Sequence, residues 1–335
     1  MSAALPFFEP QPAPQLVGIA RLAAQGESIQ EGHNVEYFNL PTRSILNRCT
    51  SARMPFTWTI NPYRGCEFAC RYCYARYTHE FMEMRDGVDF ERKIYVKQNV
   101  AWLLRRDLKR VRRGEDIAIG TATDPYQPAE RRYEITRAIL EELSRHAGLE
   151  VGMVSKSIMM VRDIDLMRAI AEHNRFGISV TITTLNTNLA RILEPRAPRP
   201  DLRLKAVREL SAAGIYVNVL CAPILPGITD QPKDLEAVVR SASEAGARGV
   251  YANPLFLKPC SEKIFMPFLE EHFPHLVQDY RKRYGENAFV SAAYRKRIAE
   301  LMRVLRGKYR MVPRTEARWS QERLSAPKED QMSLF

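Results

Sequence analysis

The 335-residue chain reads as an α/β protein: an open (β/α)6 partial TIM-type barrel with a flexible N-terminal arm and a helical C-terminal extension. Short β-branched runs alternate with longer helical stretches, the order expected of parallel βαβ units. Glycines at 148, 177 and 214 stand where a helix stops before the next strand. Polar residues also recur on one face of several expected strands, which points to a lined cavity inside the sheet.

Residues 1–35 are rich in Pro, Gln and small residues and lack periodicity, so they read as a flexible arm. Residues 36–55 read as an irregular cap. The core spans 56–260, with strands expected at 56–61, 116–122, 149–155, 176–183, 215–222 and 247–256. Helices are expected between them at 97–112, 131–146, 163–173, 201–213 and 233–245. Residues 261–319 read as a basic helical extension and 320–335 as a polar, disordered tail. No internal repeat stands out.

Strands buried on both faces of a parallel sheet are normally almost wholly apolar. Here Ser179, Thr181 and Thr183 alternate with Ile178, Val180 and Ile182. Asn218 alternates with Val217 and Val219, and Tyr251 and Asn253 with Val250 and Ala252. One face is therefore expected to pack on helices and the other to present hydroxyls and amides.

With 45% hydrophobic residues the chain can bury a sizeable core. No apolar run reaches the ~18 residues of a membrane span, and no secretory signal opens the chain. These features and the free thiols lead to a cytoplasmic expectation. The net charge of +11 is unevenly spread. Residues 276–319 carry twelve Lys or Arg against four acids, a net +8, and a second basic run covers 105–113. Such focused charge suits a polyanion, nucleic acid first. The aromatics Tyr280, Tyr284, Tyr294, Tyr309 and Trp319 among those cations offer faces for base stacking. Solvated helix faces are the plainer alternative.

The densest chemistry lies in Cys66, Cys70 and Cys73, three thiols within eight residues, with Pro62 and Gly65 supplying a tight loop ahead of them. Three thiolates so placed can hold three irons of a [4Fe–4S] cluster and leave the fourth open to substrate. A zinc knot would need a fourth ligand, with Cys49 or His79 as candidates, but no second ligand pair exists. Six cysteines in this length do not make a disulfide framework.

Cys66-x3-Cys70-x2-Cys73, with aromatic Tyr72 before the last cysteine, resembles the signature of radical S-adenosylmethionine (SAM) enzymes. The wider context is similar to the spore photoproduct lyase branch: Tyr72 and Tyr74 flanking Cys73, Thr121-Ala122-Thr123-Asp124, Val154-Ser155-Lys156-Ser157 and Ala222-Pro223-Ile224-Leu225-Pro226-Gly227. The resemblance implies a [4Fe–4S] cluster held by the three cysteines and SAM chelated to the open iron. A reductant such as flavodoxin or ferredoxin would reduce the cluster, and SAM would split to a radical that abstracts hydrogen from substrate. It further implies that the Tyr72 backbone lies against the SAM adenine. Ala122, Thr123 and Asp124 would receive the SAM amino end, Lys156 would pair with its carboxylate, and Ser179 and Thr181 would contact ribose or carboxylate.

One departure matters. That branch has a hydrogen-donating cysteine in the second-strand segment, where this chain has Thr121, and no cysteine lies between Cys73 and Cys221. Cys221 or Cys260 are candidate replacements, each equally readable as a small buried residue. Tyr74 is a candidate relay or a stacking residue. A different substrate is therefore expected, with nucleic-acid repair or modification the leading class. A protein or small-molecule substrate, or a non-catalytic metal-bound nucleic-acid-binding module, are the alternatives. Finally, Gln331-Met332-Ser333-Leu334-Phe335 resembles the peptide by which bacterial repair proteins dock on the sliding clamp, Leu and Phe filling an apolar groove.

Overall fold

The structure, a computed structural model, describes residues 16–311 apart from 33 and 52–53. Strands follow in chain order as β1 (Ser28–Gly32), β2 (Val35–Leu40), β3 (Leu46–Arg48), β4 (Trp58–Ile60), β5 (Tyr63–Arg64) and β6 (Lys93–Lys97). They continue as β7 (Asp116–Ile119), β8 (Glu150–Ser155), β9 (Arg175–Thr181), β10 (Val217–Ile224) and β11 (Gly249–Pro254).

The larger sheet has the order β11-β10-β9-β8-β7-β4-β3. From β4 to β11 its neighbours are parallel, and β3 lies antiparallel at the edge. Each parallel strand stands beside its predecessor, and the sheet ends at β3 and β11 without closing. This is the open six-unit barrel expected. Helices Val100–Leu108, Ile135–Leu143, Ile164–His173, Pro200–Ala212 and Pro232–Glu244 connect the strands.

Side-chain alternation explains the two faces. Ile117, Ile119, Val151, Met153, Ile178, Val180, Val217, Val219 and Val250 are buried in one core. Their alternates, among them Ala118, Val154, Ser179, Asn218 and Leu220, are half-exposed, and Tyr251 and Asn253 are exposed. The inner face is thus partly accessible, with Thr181 and Thr183 buried on it, while the outer face is sealed.

Two boundaries differ from the periodicity for local reasons. β7 stops at Ile119 because Gly120, at φ +87°, turns the chain out where a Cβ would meet Val154 O at 2.5 Å. The helix expected over 131–146 breaks at Glu134, which adopts φ 49°. Buried Glu130 then accepts from Thr136 N at 2.8 Å and Arg137 N at 3.0 Å, capping a fresh start.

A second sheet, β1-β2-β6-β5, lies ahead of and beside the cysteine loop. It draws on residues 16–40, where helix Gly18–Ala24 and β1 and β2 occupy stretches that composition reads as arm and cap. Residues 1–15 lie outside the described residues.

Helices Pro259–His272, Val277–Tyr284 and Ala292–Lys308 form the C-terminal extension. Three of its aromatics do not offer stacking faces. Tyr280, Tyr284 and Tyr294 are buried, and their hydroxyls donate to Pro226 O, Leu255 O and Asp230. Residues 312–335, with Trp319 and the Gln331–Phe335 peptide, lie outside the described residues. Among the described residues no helix is long and apolar enough to cross a membrane.

Candidate cluster and cofactor site

The cysteine loop leaves β5 through Gly65. At φ +81°, a Cβ there would lie 2.7 Å from Lys93 O and 2.8 Å from Phe90 O, so only glycine fits. Ala69 also takes a positive φ, 56°, between the first two cysteines. Every side of the loop is then fastened. Cys66 N donates to Phe90 O at 2.9 Å, and Arg71 N to Leu193 O at 2.9 Å. Thr123 Oγ1 and Gln127 Nε2 donate to Gly65 O at 2.6 and 3.1 Å. Buried Glu67 accepts from Ala129 N at 2.8 Å and Tyr37 Oη at 3.1 Å. Arg76, paired with Glu91 at 2.6 Å, donates to Cys70 O. Ser261 Oγ donates to Cys73 O at 2.9 Å, so the helix after β11 joins the clasp.

Cys66 and Cys70 are buried and Cys73 is half-buried. Burial pushes all three thiols up, Cys70 to about 12, although Lys156 acts the other way on Cys70 and Arg76 on Cys73. Cys66 is raised further by Asp124 and by the other two cysteines. Such thiols ionise when iron supplies the missing positive charge. Among the described residues no three His, Cys, Asp or Glu side chains are grouped closely enough to share a single ion. Three cysteine thiols on one fastened loop are the donor chemistry of a [4Fe–4S] site with one iron left open, which these residues fit. His79 is held elsewhere, with Nε2 3.0 Å from Lys93 O and its ring against Phe90 and Tyr95.

Of the residues expected to hold SAM, Ala122, Thr123, Asp124 and Lys156 follow the carboxyl ends of β7 and β8. Ala122 N donates to Asn61 Oδ1 at 2.8 Å, and Asn61 Nδ2 to Thr121 Oγ1 at 3.1 Å, tying β4 to β7. Thr123 is engaged with the loop. Asp124 accepts from Ser155 Oγ at 2.7 Å, Lys156 N at 2.7 Å and Tyr126 N at 2.9 Å, so its carboxylate joins the ends of β7 and β8. Lys156 is half-buried with Nζ 5.7 Å from the Tyr72 ring centroid. Burial works against its charge, but Cys70, Glu194 and Asp124 outweigh it and keep the pKa above the usual lysine value.

Tyr72 is buried, and its hydroxyl donates to Glu194 and lies 3.1 Å from Thr183 Oγ1. Glu194 is in turn paired with fully buried Arg203 at 2.5 Å. This network positions Tyr72, and no local pattern marks Glu194 or Arg203 in the sequence. Ser179 is half-exposed on the inner face and Thr181 is buried on it. Asn218 Oδ1 on the same face is buried without a hydrogen-bond partner in the described residues.

The candidate hydrogen donors separate. Cys221 shares the buried face with Val217 and Val219, and its Sγ donates to Thr183 O at 3.9 Å. Burial raises that thiol to about 12. The structure does not bring it to the inner face. Tyr74, by contrast, donates from its hydroxyl to the carbonyl of Thr121, the residue standing where a donor cysteine would be expected. Cys260 Sγ lies 3.9 Å from Tyr74 O.

The model of the Radical SAM superfamily matches residues 60–241. An uncharacterized protein of Mycobacterium tuberculosis is 35% identical over 292 residues, 84% of this chain and 86% of its own. Another, of Methanocaldococcus jannaschii, is 28% identical over 217 residues, covering 65% and 76%. Among solved structures, spore photoproduct lyase complexed with dinucleoside spore photoproduct matches with a TM-score of 0.61 at 15% identity, covering 90% of this chain and 85% of that one. A form of the same enzyme with bound AdoMet matches at 0.60 and 14% identity, with the same coverage. At such identities the likeness shows the fold.

Proposed function

The chain belongs to the radical SAM superfamily and is an enzyme of that type; from this premise we propose that its substrate is nucleic acid, in a repair or modification reaction. Bound together, the [4Fe–4S] cluster and SAM supply one-electron cleavage of a sulfonium C–S bond and hydrogen abstraction from substrate. The chain's own residues do the rest. Cys66, Cys70 and Cys73 would hold three irons. Lys156 and Ser179 offer a cation and a hydroxyl to the polar end of SAM, while Thr123 and Asp124 keep the loop and strand ends at fixed spacing. Tyr74 holds its phenol at Thr121, where a hydrogen atom would be returned to product. This donor differs from a thiol, and we expect the substrate to differ from that of spore photoproduct lyase.

The observation that carries the nucleic-acid reading is the convergence of two exposed basic triplets, 281–283 and 295–297. They come from different helices, yet Arg283 and Arg297 lie 5.7 and 5.0 Å from the ring centroid of the same Tyr294. Charge gathered on one face suits a phosphate backbone. The fold is also that of a lyase whose solved complex contains a dinucleoside. We place the enzyme in the cytoplasm, with flavodoxin or ferredoxin as reductant and the Gln331–Phe335 peptide docking on a sliding clamp.

The test is anaerobic reconstitution followed by turnover with damaged or modified oligonucleotides and mass spectrometry of the products. Oligonucleotide-dependent 5′-deoxyadenosine with a mass-shifted nucleoside is expected. SAM cleavage that ignores oligonucleotides but responds to peptides or small molecules would transfer the substrate to those classes.

A further inference from the structure

Among the described residues, the open side of the barrel carries cations that no carboxylate neutralises. Tyr77 opens the short helix Tyr77–Glu80 after the cysteine loop, and Lys258 follows β11, an edge strand of the sheet. Lys258 Nζ lies 3.8 Å from the Tyr77 ring centroid and 5.7 Å from that of Phe256. Burial raises the Tyr77 phenol, and Arg64 beside it acts the other way. Arg64 makes a 3.4 Å hydrogen bond to Thr78 O.

Arg64 also acts on Lys97. Arg64 pairs directly with Tyr95 across β5 and β6, and Tyr95 and Lys97 share a face of β6, so both cations project from one side of the small sheet. Lys97 is only 5% exposed. Among the described residues no hydrogen bond or ion pair holds its ammonium, and none pairs Arg64 or Lys258 with an acid. Asp89 is engaged by Lys93 at 3.1 Å.

Burying most of a lysine side chain without a counter-charge is costly, as is a second cation beside it. A fold that keeps both next to its reactive loop has a use for them. We infer that Arg64, Lys97 and Lys258 form a binding site for a phosphate-class oxyanion at the lateral mouth of the barrel, with Tyr77 as its wall. The guanidinium presents a planar fork to two oxygens, and the ammonium groups act as point charges. The inference rests on the nucleic-acid reading in one respect: under that reading the oxyanion is a backbone phosphate of the substrate. The two basic triplets would then guide the strand, and this site would fix one linkage beside the cysteines.

The experiment uses the full-length reconstituted protein, Lys97→Met and Lys258→Met. Each is titrated with inorganic phosphate, and with single-stranded oligonucleotides carrying one central phosphodiester or an uncharged methylphosphonate. Wild type is expected to bind phosphate about tenfold or more tightly than either variant. It should also prefer the phosphodiester by a similar factor, a preference that Lys258→Met loses. Lys97→Met should melt above wild type without phosphate, since it removes a buried charge, so weaker binding is not a sign of misfolding. Unchanged phosphate affinity in both variants would overturn the site. Phosphate binding that the variants lose, with no oligonucleotide bound by wild type, would keep the site and overturn the nucleic-acid reading.

Discussion

Thr123 Oγ1 donates a 2.6 Å hydrogen bond to the carbonyl oxygen of Gly65, fastening the end of β7 to the loop that carries the cysteines. The strand that brings the cofactor-side residues and the loop that brings the thiols are thereby held as one body. Thr123→Val keeps the shape and removes the donor, leaving Gln127 as the remaining partner of that carbonyl. A loss of about 1 kcal/mol is expected. Iron content after reconstitution and the denaturation midpoint should both fall.

Gly65→Ala should be more damaging. The added methyl would meet two backbone carbonyls below 3 Å at a positive φ, and neither carbonyl can rotate away. Strain and displacement on the order of 2–3 kcal/mol are expected. Reconstituted protein should show weak cluster absorbance and little SAM cleavage.

Glu194→Gln tests the support beneath Tyr72. Arg203 would remain buried with its charge uncompensated, a change typically costing about 3–5 kcal/mol. Replacing Glu194 and Arg203 together by apolar residues should cost less than the single change. A thermal-unfolding double-mutant cycle measures that difference.

Tyr74 and Cys221 are distinguished by substitution and turnover. Cys221→Ala, sealed against the helices, should leave turnover within about twofold of wild type. Tyr74→Phe keeps the ring and removes the hydroxyl, and should lower product formation about tenfold or more. SAM cleavage should then run ahead of product. Equal effects from the two substitutions would remove Tyr74 from the hydrogen path.

Lys97 gives the stability a pH signature. Burial, and then Arg64, hold its pKa down to about 7, against ~10.4 in an unfolded chain. Between these values the unfolded state binds more protons, so stability rises with pH. The penalty is fully present below about pH 7 and fades towards pH 10. Thermal midpoints of wild type should therefore approach those of Lys97→Met as pH rises from 6.5 to 9. A constant gap would contradict the depressed pKa.

Much of the core is legible in the chain because its signals are local. The alternation of Ile178, Val180 and Ile182 with polar residues belongs to one strand, and so does the resulting division into a sealed and an open face. The same period-two rule places Cys221 with Val217 and Val219, a signal that outweighs the chemical appeal of its thiol. The small sheet is harder to read. β5 has two residues, and β6 follows a short helix without a break and is buried on both faces, so neither carries a full alternation. The basic extension is legible as charge but not as surface: Tyr280, Tyr284 and Tyr294 sit at core positions of their helices, while the cations of 281–283 and 295–297 face outward.

The sequence by itself determined the three clustered thiols, the six βα units and the polar inner face, since each depends on spacing within a few residues. The tertiary structure decided which groups attend them. Glu194 and Arg203 lock Tyr72 from more than a hundred residues away. Tyr74 meets Thr121 across 47 residues, and Lys258 meets Tyr77 from beyond the last strand. Such pairings depend on how the sheet curves and where its edges end. Chain spacing does not encode them, because distant segments become neighbours only when the barrel packs.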